Sequence, residues 1–300
     1  MMRRFVLVLL MVLLPILPAR AAGRFDGVPR TAVISAFGPE LAELQRQTTN
    51  KRRYVDGGVI FTTGMLEGRP VVLLLSGVSM VNAAMTTQLA LDRFNVRRIV
   101  FSGVGGGVDP SLRVGDVVVP ERWAEYLEMS FARQAADGFG RPPDAVPDVA
   151  SYGMMFPSPV TVQRRPGAAE RRTWFPVDPA MLAAARAAAG QAPLRRCDGA
   201  RCLDQAPKMV VGGNGVSGSA FVDNAAFRQY VFTAFHAEVL DMETAAVAHV
   251  AYADGAPFIA FRSLSDLAGG DPGPNPFRLF VPLAADNSAA AVRHFLKSLP

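Results

Sequence analysis

Cysteine is nearly absent from the 300-residue chain, which has only Cys197 and Cys202, in the stretch RRCDGARC. No further Cys or His lies close enough to complete a zinc-type ligand set, so the pair reads as a short disulfide loop of an oxidising compartment. Histidine is almost as scarce, with three in all. His236, His249 and His294 have no partner at metal-ligand spacing, so they read as structural or surface residues, and neither a metal nor a cofactor is implied. Basic stripes with interleaved aromatics are also missing. The net charge of +5 is scattered over positions such as Arg97, Arg98, Arg164, Arg165, Arg171 and Arg172, which argues against a nucleic-acid partner. Internal repeats are absent too. Beyond the first two dozen residues no run is long and apolar enough to span a bilayer.

The chain begins MMRRFVLVLLMVLLPILPARAAG, with two arginines, an apolar run and Ala19-Arg20-Ala21 in the pattern of a cleavage site. This is a secretory signal peptide, residues 1–22. Its apolar run contains Pro15 and Pro18 and falls short of the ~20 residues of a membrane span. The mature chain, residues 23–300, is expected to be periplasmic or secreted, with no membrane attachment after cleavage. Half of the sequence is apolar, which excludes global disorder, and the length suits one large domain.

Short β-branched runs ended by Gly, Ser or Pro predict strands at TAVISAF (31–37), VVLLLSG (71–77), RRIVFSG (97–103), DVVVP (116–120), PFIAFRS (257–263) and KMVVGG (208–213). Helical patterns lie between them at 40–48, 82–94 and 244–253. Strand and helix alternate, which predicts an α/β fold of three α/β/α layers around a mostly parallel, mixed and twisted sheet. Residues 135–180, rich in proline, predict a long surface excursion that is either a lid or a tolerated insertion.

Ligands of open α/β sheets bind beyond the carboxyl ends of strands. Two acids, Glu40 and Asp266, are expected just past such ends. The glycines at 105–107 are expected in a loop, but they match neither the dinucleotide fingerprint nor the P-loop. In LDMETAAVAHV (240–250), Glu243 stands at the start of a small-residue helix. Favourable charge at a helix N-terminus accounts for an acid there equally well.

AFGPEL (36–41), LLSGVSMVNAA (74–84), FSGVGGGVDPSLRVGDVVVP (101–120), SGSAFVDN (217–224), LDMETAAVAHV (240–250) and FRSLSDLA (261–268) follow one another in an order that is recognisable. Together they resemble the nucleoside phosphorylase and nucleosidase superfamily. They are most similar to the 5′-methylthioadenosine/S-adenosylhomocysteine nucleosidases and the plant bark and vegetative storage proteins. The resemblance spans nearly the whole mature chain apart from the excursion.

That resemblance implies an N-glycosyl hydrolase acting on a small-molecule purine nucleoside, and a homodimer. Asp266 would protonate the base, with Ser265 helping to orient it, and Glu40 would hold the attacking water. Glu243 would bind a ribose hydroxyl and Met242 would pack on the sugar. Phe221 would stack on the base and the Val222 backbone would read its edge. Gly105 would touch the ligand, and Phe37 and Phe277 would wall the 5′ group. Breaking an N-glycosidic bond builds positive charge on the ribose and negative charge on the base, which suits carboxylates at one end and a proton donor at the other. The chain departs from the family pattern at Val104, where a serine is usual, at Ser219, where an acid is usual, and at Gly38 and Pro39 before Glu40. A storage-like binding protein and a phosphorylase are the alternatives. The loop AFGPEL lacks a phosphate-binding arginine and carries Glu40, so water is expected as the nucleophile.

Overall fold

The computed structural model describes residues 23–164 and 167–299; the signal peptide expected at 1–22 lies outside the described residues. Among these, twelve strands make one sheet. They are β1 (Pro29–Ser35), β2 (Thr49–Asp56), β3 (Val59–Leu66), β4 (Arg69–Leu75), β5 (Asn95–Gly107), β6 (Val117–Val119), β7 (Arg122–Glu125), β8 (Trp174–Pro176), β9 (Met209–Val211), β10 (Asn214–Ser217), β11 (Ala237–Asp241) and β12 (Phe258–Asp266). The order is β8-β7-β10-β11-β5-β1-β4-β3-β2, with β12 beside β5 and β6, and β6 beside β9. The centre, where β1 meets β4 and β5 and where β5 meets β12, is parallel. The hairpins β2–β3 and β3–β4 and the β5–β11 and β6–β12 pairs are antiparallel. The sheet is therefore mixed, as expected.

The central strands are buried along nearly their whole length, which is why β1, β4 and β12 read as apolar runs and not as alternating patterns. Helices α1 (Gly38–Gln47), α3 (Pro179–Ala188) and α6 (Phe277–Ser298) pack with one another, and α2 (Met80–Arg93) packs with α5 (Thr244–Asp254), so that the sheet lies between layers. Helix α4 (Ala225–Phe235) lies on β11. Local chemistry sets the helix ends. Asp178 caps α3 by accepting from Met181 N at 2.9 Å, and Asn224 caps α4 by accepting from Phe227 N at 2.9 Å. Gly255 ends α5 in a left-handed conformation.

Two sequence expectations need correction. The third strand does not stop at Gly103 but runs through the glycines to Gly107, because their missing side chains let β11, β12 and Leu267 close over it. The last strand likewise continues to Asp266. Glu40 lies just past β1, as expected, in the first turn of α1, where its carboxylate reaches back to the N–H groups that begin the helix. The excursion packs in part on α4. Its three short ladders, 129–131 with 155–157, 134–135 with 138–139, and 160–163 with 169–172, build an outer layer. Tyr152 of that layer packs on Phe227 and Tyr230 of α4, whose Tyr230 hydroxyl donates to Ala150 O at 2.9 Å.

Hairpin β2–β3 was missed although Asp56-Gly57-Gly58 is a hairpin signal; both glycines have positive φ, 54° and 80°. The Cys197–Cys202 disulfide is formed and closes a two-stranded ladder.

Candidate active site

A cavity of about 390 Å³ opens at the carboxyl ends of β1, β10, β11 and β12, against the end of β5. All ten residues singled out from the sequence line it: Phe37, Glu40, Gly105, Phe221, Val222, Met242, Glu243, Ser265, Asp266 and Phe277. A larger concavity, about 480 Å³, lies between Arg113, Leu203, Pro207 and Pro272. Its buried acid, Asp116, is already occupied by the N–H groups of Arg113 (3.1 Å) and Lys208 (2.9 Å), so we place the chemistry in the smaller cavity, where carboxylates converge.

One wall of the site is built around Arg262, which sequence reasoning missed. Its side chain is fully buried, with Nε 2.7 Å from Asp241 Oδ2, Nη1 3.5 Å from Glu40 Oε1 and Nη2 3.4 Å from Glu243 Oε2. The guanidinium also donates to Val104 O at 3.1 Å and lies over the Phe101 ring at 4.2 Å. One cation thus holds three carboxylates from α1, β11 and the turn before α5. Gly103 is what admits it, since a Cβ there would overlap both Arg262 Nη1 and Glu40 Oε1.

Each carboxylate has further donors. Glu40 Oε2 accepts from Ala36 N (2.7 Å) and Phe37 N (3.3 Å), and Oε1 from Val104 N (2.8 Å). Asp241 accepts from Ser217 Oγ (2.5 Å) and from the N–H groups of Glu243 and Thr244 (both 3.0 Å), which fixes the start of α5. Glu243 Oε1 accepts from Ser79 N at 2.8 Å. Ser79 makes that bond from φ 84°, ψ 160°, a backbone region that a serine enters only at a cost. Burial pushes Glu40 above the usual carboxylate range, with Arg262 pulling it back down. Burial likewise lifts Glu243 to about 7, again against the pull of Arg262.

Asp266 lies on the opposite side, at the end of β12. The β5–β12 register shifts between Leu264 and Asp266, a bulge that turns both Ser265 and Asp266 toward the cavity. Asp266 Oδ1 accepts from Ala268 N at 2.9 Å, and Oδ2 lies 2.9 Å from Ser265 Oγ. Gly106 keeps the space in front of it clear, since a Cβ there would sit 3.2 Å from Oδ1. Burial raises the Asp266 carboxyl above its ordinary range, while its hydrogen-bond donors oppose the rise. Unlike Glu40 and Glu243, it has no arginine against it among the described residues.

The remaining walls are apolar. Phe221, 56% exposed at the mouth, meets Phe277 edge-on with ring centroids 5.5 Å apart. Phe37 and Phe277 pack with Val104, Val281, Ala284 and Ala285. Of the three histidines, His249 in α5 sits 2.7 Å from Glu125 and stacks on Phe175, away from the cavity. Among the described residues, no group of three or more His, Cys, Asp or Glu side chains is placed to share a metal ion.

The site can therefore present carboxylates gathered on one arginine to a group of growing positive charge, and a carboxyl to a group of growing negative charge. The model of the phosphorylase superfamily matches residues 30–297. A 5′-methylthioadenosine/S-adenosylhomocysteine nucleosidase of Marinomonas is 31% identical to the chain over 88% of the chain and 97% of the relative. Among solved structures, a nucleosidase of that name from Neisseria meningitidis in complex with methylthio-immucillin-A aligns with TM-score 0.67 and 25% identity, covering 90% of this chain and 99% of that one. Its counterpart from Colwellia psychrerythraea, in complex with adenine, aligns with TM-score 0.67 and 26% identity over 92% and 97% of the two chains.

Proposed function

The chain belongs to the phosphorylase superfamily, within the 5′-methylthioadenosine/S-adenosylhomocysteine nucleosidase family, and from that premise we propose that it hydrolyses the N-glycosidic bond of a purine nucleoside. The observation that carries this reading is the opposition of Glu40 and Glu243, balanced by Arg262, to an Asp266 that has no arginine against it, across one cavity.

In this mechanism the C1′–N9 bond breaks and its electron pair passes to the base, while the Asp266 carboxyl delivers its proton to N7. Water held by Glu40 bonds to C1′, and Glu40 takes the proton that the water loses. Glu243 holds a ribose hydroxyl and, with Glu40, favours the cationic character of the sugar. Met242 packs on the sugar, Phe221 stacks on the base and the Val222 backbone meets the base edge. Phe37, Phe277 and Val104 form an apolar recess that suits a thioether at the 5′ carbon.

Water is favoured over phosphate because the charge of Arg262 is shared among three carboxylates. A phosphate anion at C1′ would face Glu40. The disulfide supports export through the leader at 1–22. No described helix is long and apolar enough to cross a membrane. A homodimer is proposed as well, supported by the exposed Val78, Val81 and Met85 beside the cavity mouth.

The test is to incubate the mature protein with a panel of purine nucleosides, with and without phosphate, and to chromatograph for free base. Phosphate-independent release of base is expected. A rate that rises with phosphate would assign a phosphorylase, and nucleoside recovered unchanged after long incubation would assign a binding protein.

A further inference from the structure

Asn275 stands in the loop Asp271-Pro272-Gly273-Pro274-Asn275-Pro276, which joins β12 to α6 and has no counterpart among the motifs that the sequence offered. Its side chain is fully engaged. Nδ2 lies 3.1 Å from Asp223 Oδ1 and 3.5 Å from Asp266 Oδ1, and Oδ1 accepts from Phe277 N at 2.9 Å. One carboxamide therefore touches three parts of the site. These are the acid, the loop that carries Phe221 and Val222, and the first turn of the helix that carries Phe277. The prolines on either side restrict the backbone from which it reaches.

Resting on the nucleosidase reading, we infer that Asn275 is a positioning residue that decides which oxygen of Asp266 carries the proton. Asp266 Oδ1 faces two N–H donors, Ala268 N and Asn275 Nδ2, and neither can accept a proton from it. Oδ2 faces the Ser265 hydroxyl, which lies 2.9 Å from Oδ2 and 3.3 Å from Gly105 O. A hydroxyl can donate to either. While Oδ2 bears the proton, Ser265 donates to the Gly105 carbonyl. Once the proton has passed to the base and the C1′–N9 electron pair has followed, Ser265 turns to the new carboxylate. Oδ1 needs no rearrangement, because its donors are already in place.

The charged groups near this carboxyl fit the assignment. Asp271, whose Oδ2 accepts from Leu267 N at 2.9 Å, opposes ionisation of Asp266. Arg228 of α4, which donates to Gly107 O at 2.9 Å, has Asp271 and Asp109 as its electrostatic partners. Asp223 is taken up by Asn275 itself. The ionised acid is supported by Ala268 N, by the Ser265 hydroxyl and by Asn275 Nδ2, of which only the two amide donors are fixed in direction.

Asn275→Asp and Asn275→Ala separate the roles. The aspartate keeps an oxygen for Phe277 N but donates nothing to Asp266, whereas the alanine loses both bonds. We expect kcat to fall about tenfold in each, as for a general acid held less well. Without the donor the carboxylate is less favoured, so the basic limb of the kcat/KM profile moves to higher pH, furthest in Asn275→Asp. Calorimetric titration with adenine across the same pH range reads the same proton without turnover, and the pH at which affinity is lost moves in the same direction. Limbs that coincide with those of the parent protein, whatever happens to Tm, overturn the assignment, as does adenine binding that ignores pH. A parent protein that releases no base, but whose adenine binding shifts with residue 275, sinks the nucleosidase reading and leaves Asn275 in its role.

Discussion

The two ends of the cavity solve opposite electrostatic problems with the same kind of side chain. On one side, Glu40, Asp241 and Glu243 gather around a fully buried Arg262 and are held by backbone N–H groups from several elements; this is the side proposed for the sugar. On the other side, proposed for the base, Asp266 has serine, amide and asparagine neighbours and, among the described residues, no ion pair. Burial alone raises any carboxyl, and a guanidinium in contact offsets the rise. Burial raises Glu40, Glu243 and Asp266 alike, and the difference between the two sides is that Arg262 opposes the rise only at the two glutamates.

The most disruptive way to break this contrast is Arg262→Met. It leaves three buried acids without their cation, and loss of one partner of a buried ion pair costs about 3–5 kcal/mol. Urea denaturation should show a loss of that order, with base release abolished. Arg262→Lys should rescue little, because a point charge cannot hold three carboxylates at once.

Asp266→Asn removes the proton at the other end only. We expect kcat to fall by about 10²–10⁴ with an unchanged denaturation curve, measured by release of free base under saturating nucleoside. An equal loss of kcat and stability would mean that Asp266 serves the fold and not the reaction.

Glu243→Gln sharpens the comparison from the sugar side. Loss of a charged hydrogen-bond partner weakens ribose binding by about 1.5–3 kcal/mol, a KM rise of at least roughly tenfold. The same variant tests the pH dependence of stability. Glu243 is lifted from 4.5 to about 7 in the folded chain, so the folded state keeps a proton that the unfolded chain releases between those values. Its stabilising contribution is complete below pH 4.5 and is lost as pH rises through about 7. In Glu243→Gln the fall of Tm across that window should become shallower. Some slope will persist, because Glu238 is also raised to about 7 by burial.

The smallest effect is expected at the mouth. Phe221→Ala removes one edge-on ring contact and a stacking face, about 1 kcal/mol, seen as a KM rise of roughly fivefold with kcat kept. A fall in kcat as large as that of Asp266→Asn would mean that the aromatic wall orders the acid.

Strands β1, β4, β5, β6, β9 and β12, helices α1, α2 and α5, the disulfide and ten of the residues that line the cavity were legible in the amino-acid sequence, because they rest on local signals. Buried parallel strands read as apolar runs, helix α5 as a small-residue pattern, and Asp266 and Glu243 as acids in short motifs near element ends. Arg262 was not legible. It stands in Phe258–Asp266, a strand that is otherwise apolar or small and polar up to Asp266, and nothing near it shows that Glu40, Asp241 and Glu243 will enclose its charge. Asn275, in a proline-rich loop, looked like a turn residue until folding brought Asp223 and Asp266 to either side of it. The glycines of β5 looked like a loop because a missing side chain does not say whether it frees the backbone or makes room for a neighbour. The chain by itself thus pointed to Glu40, Glu243 and Asp266 but not to Asp241. The tertiary structure decided which of them meet a cation, because charge balance in a buried site depends on distances between elements far apart in the chain.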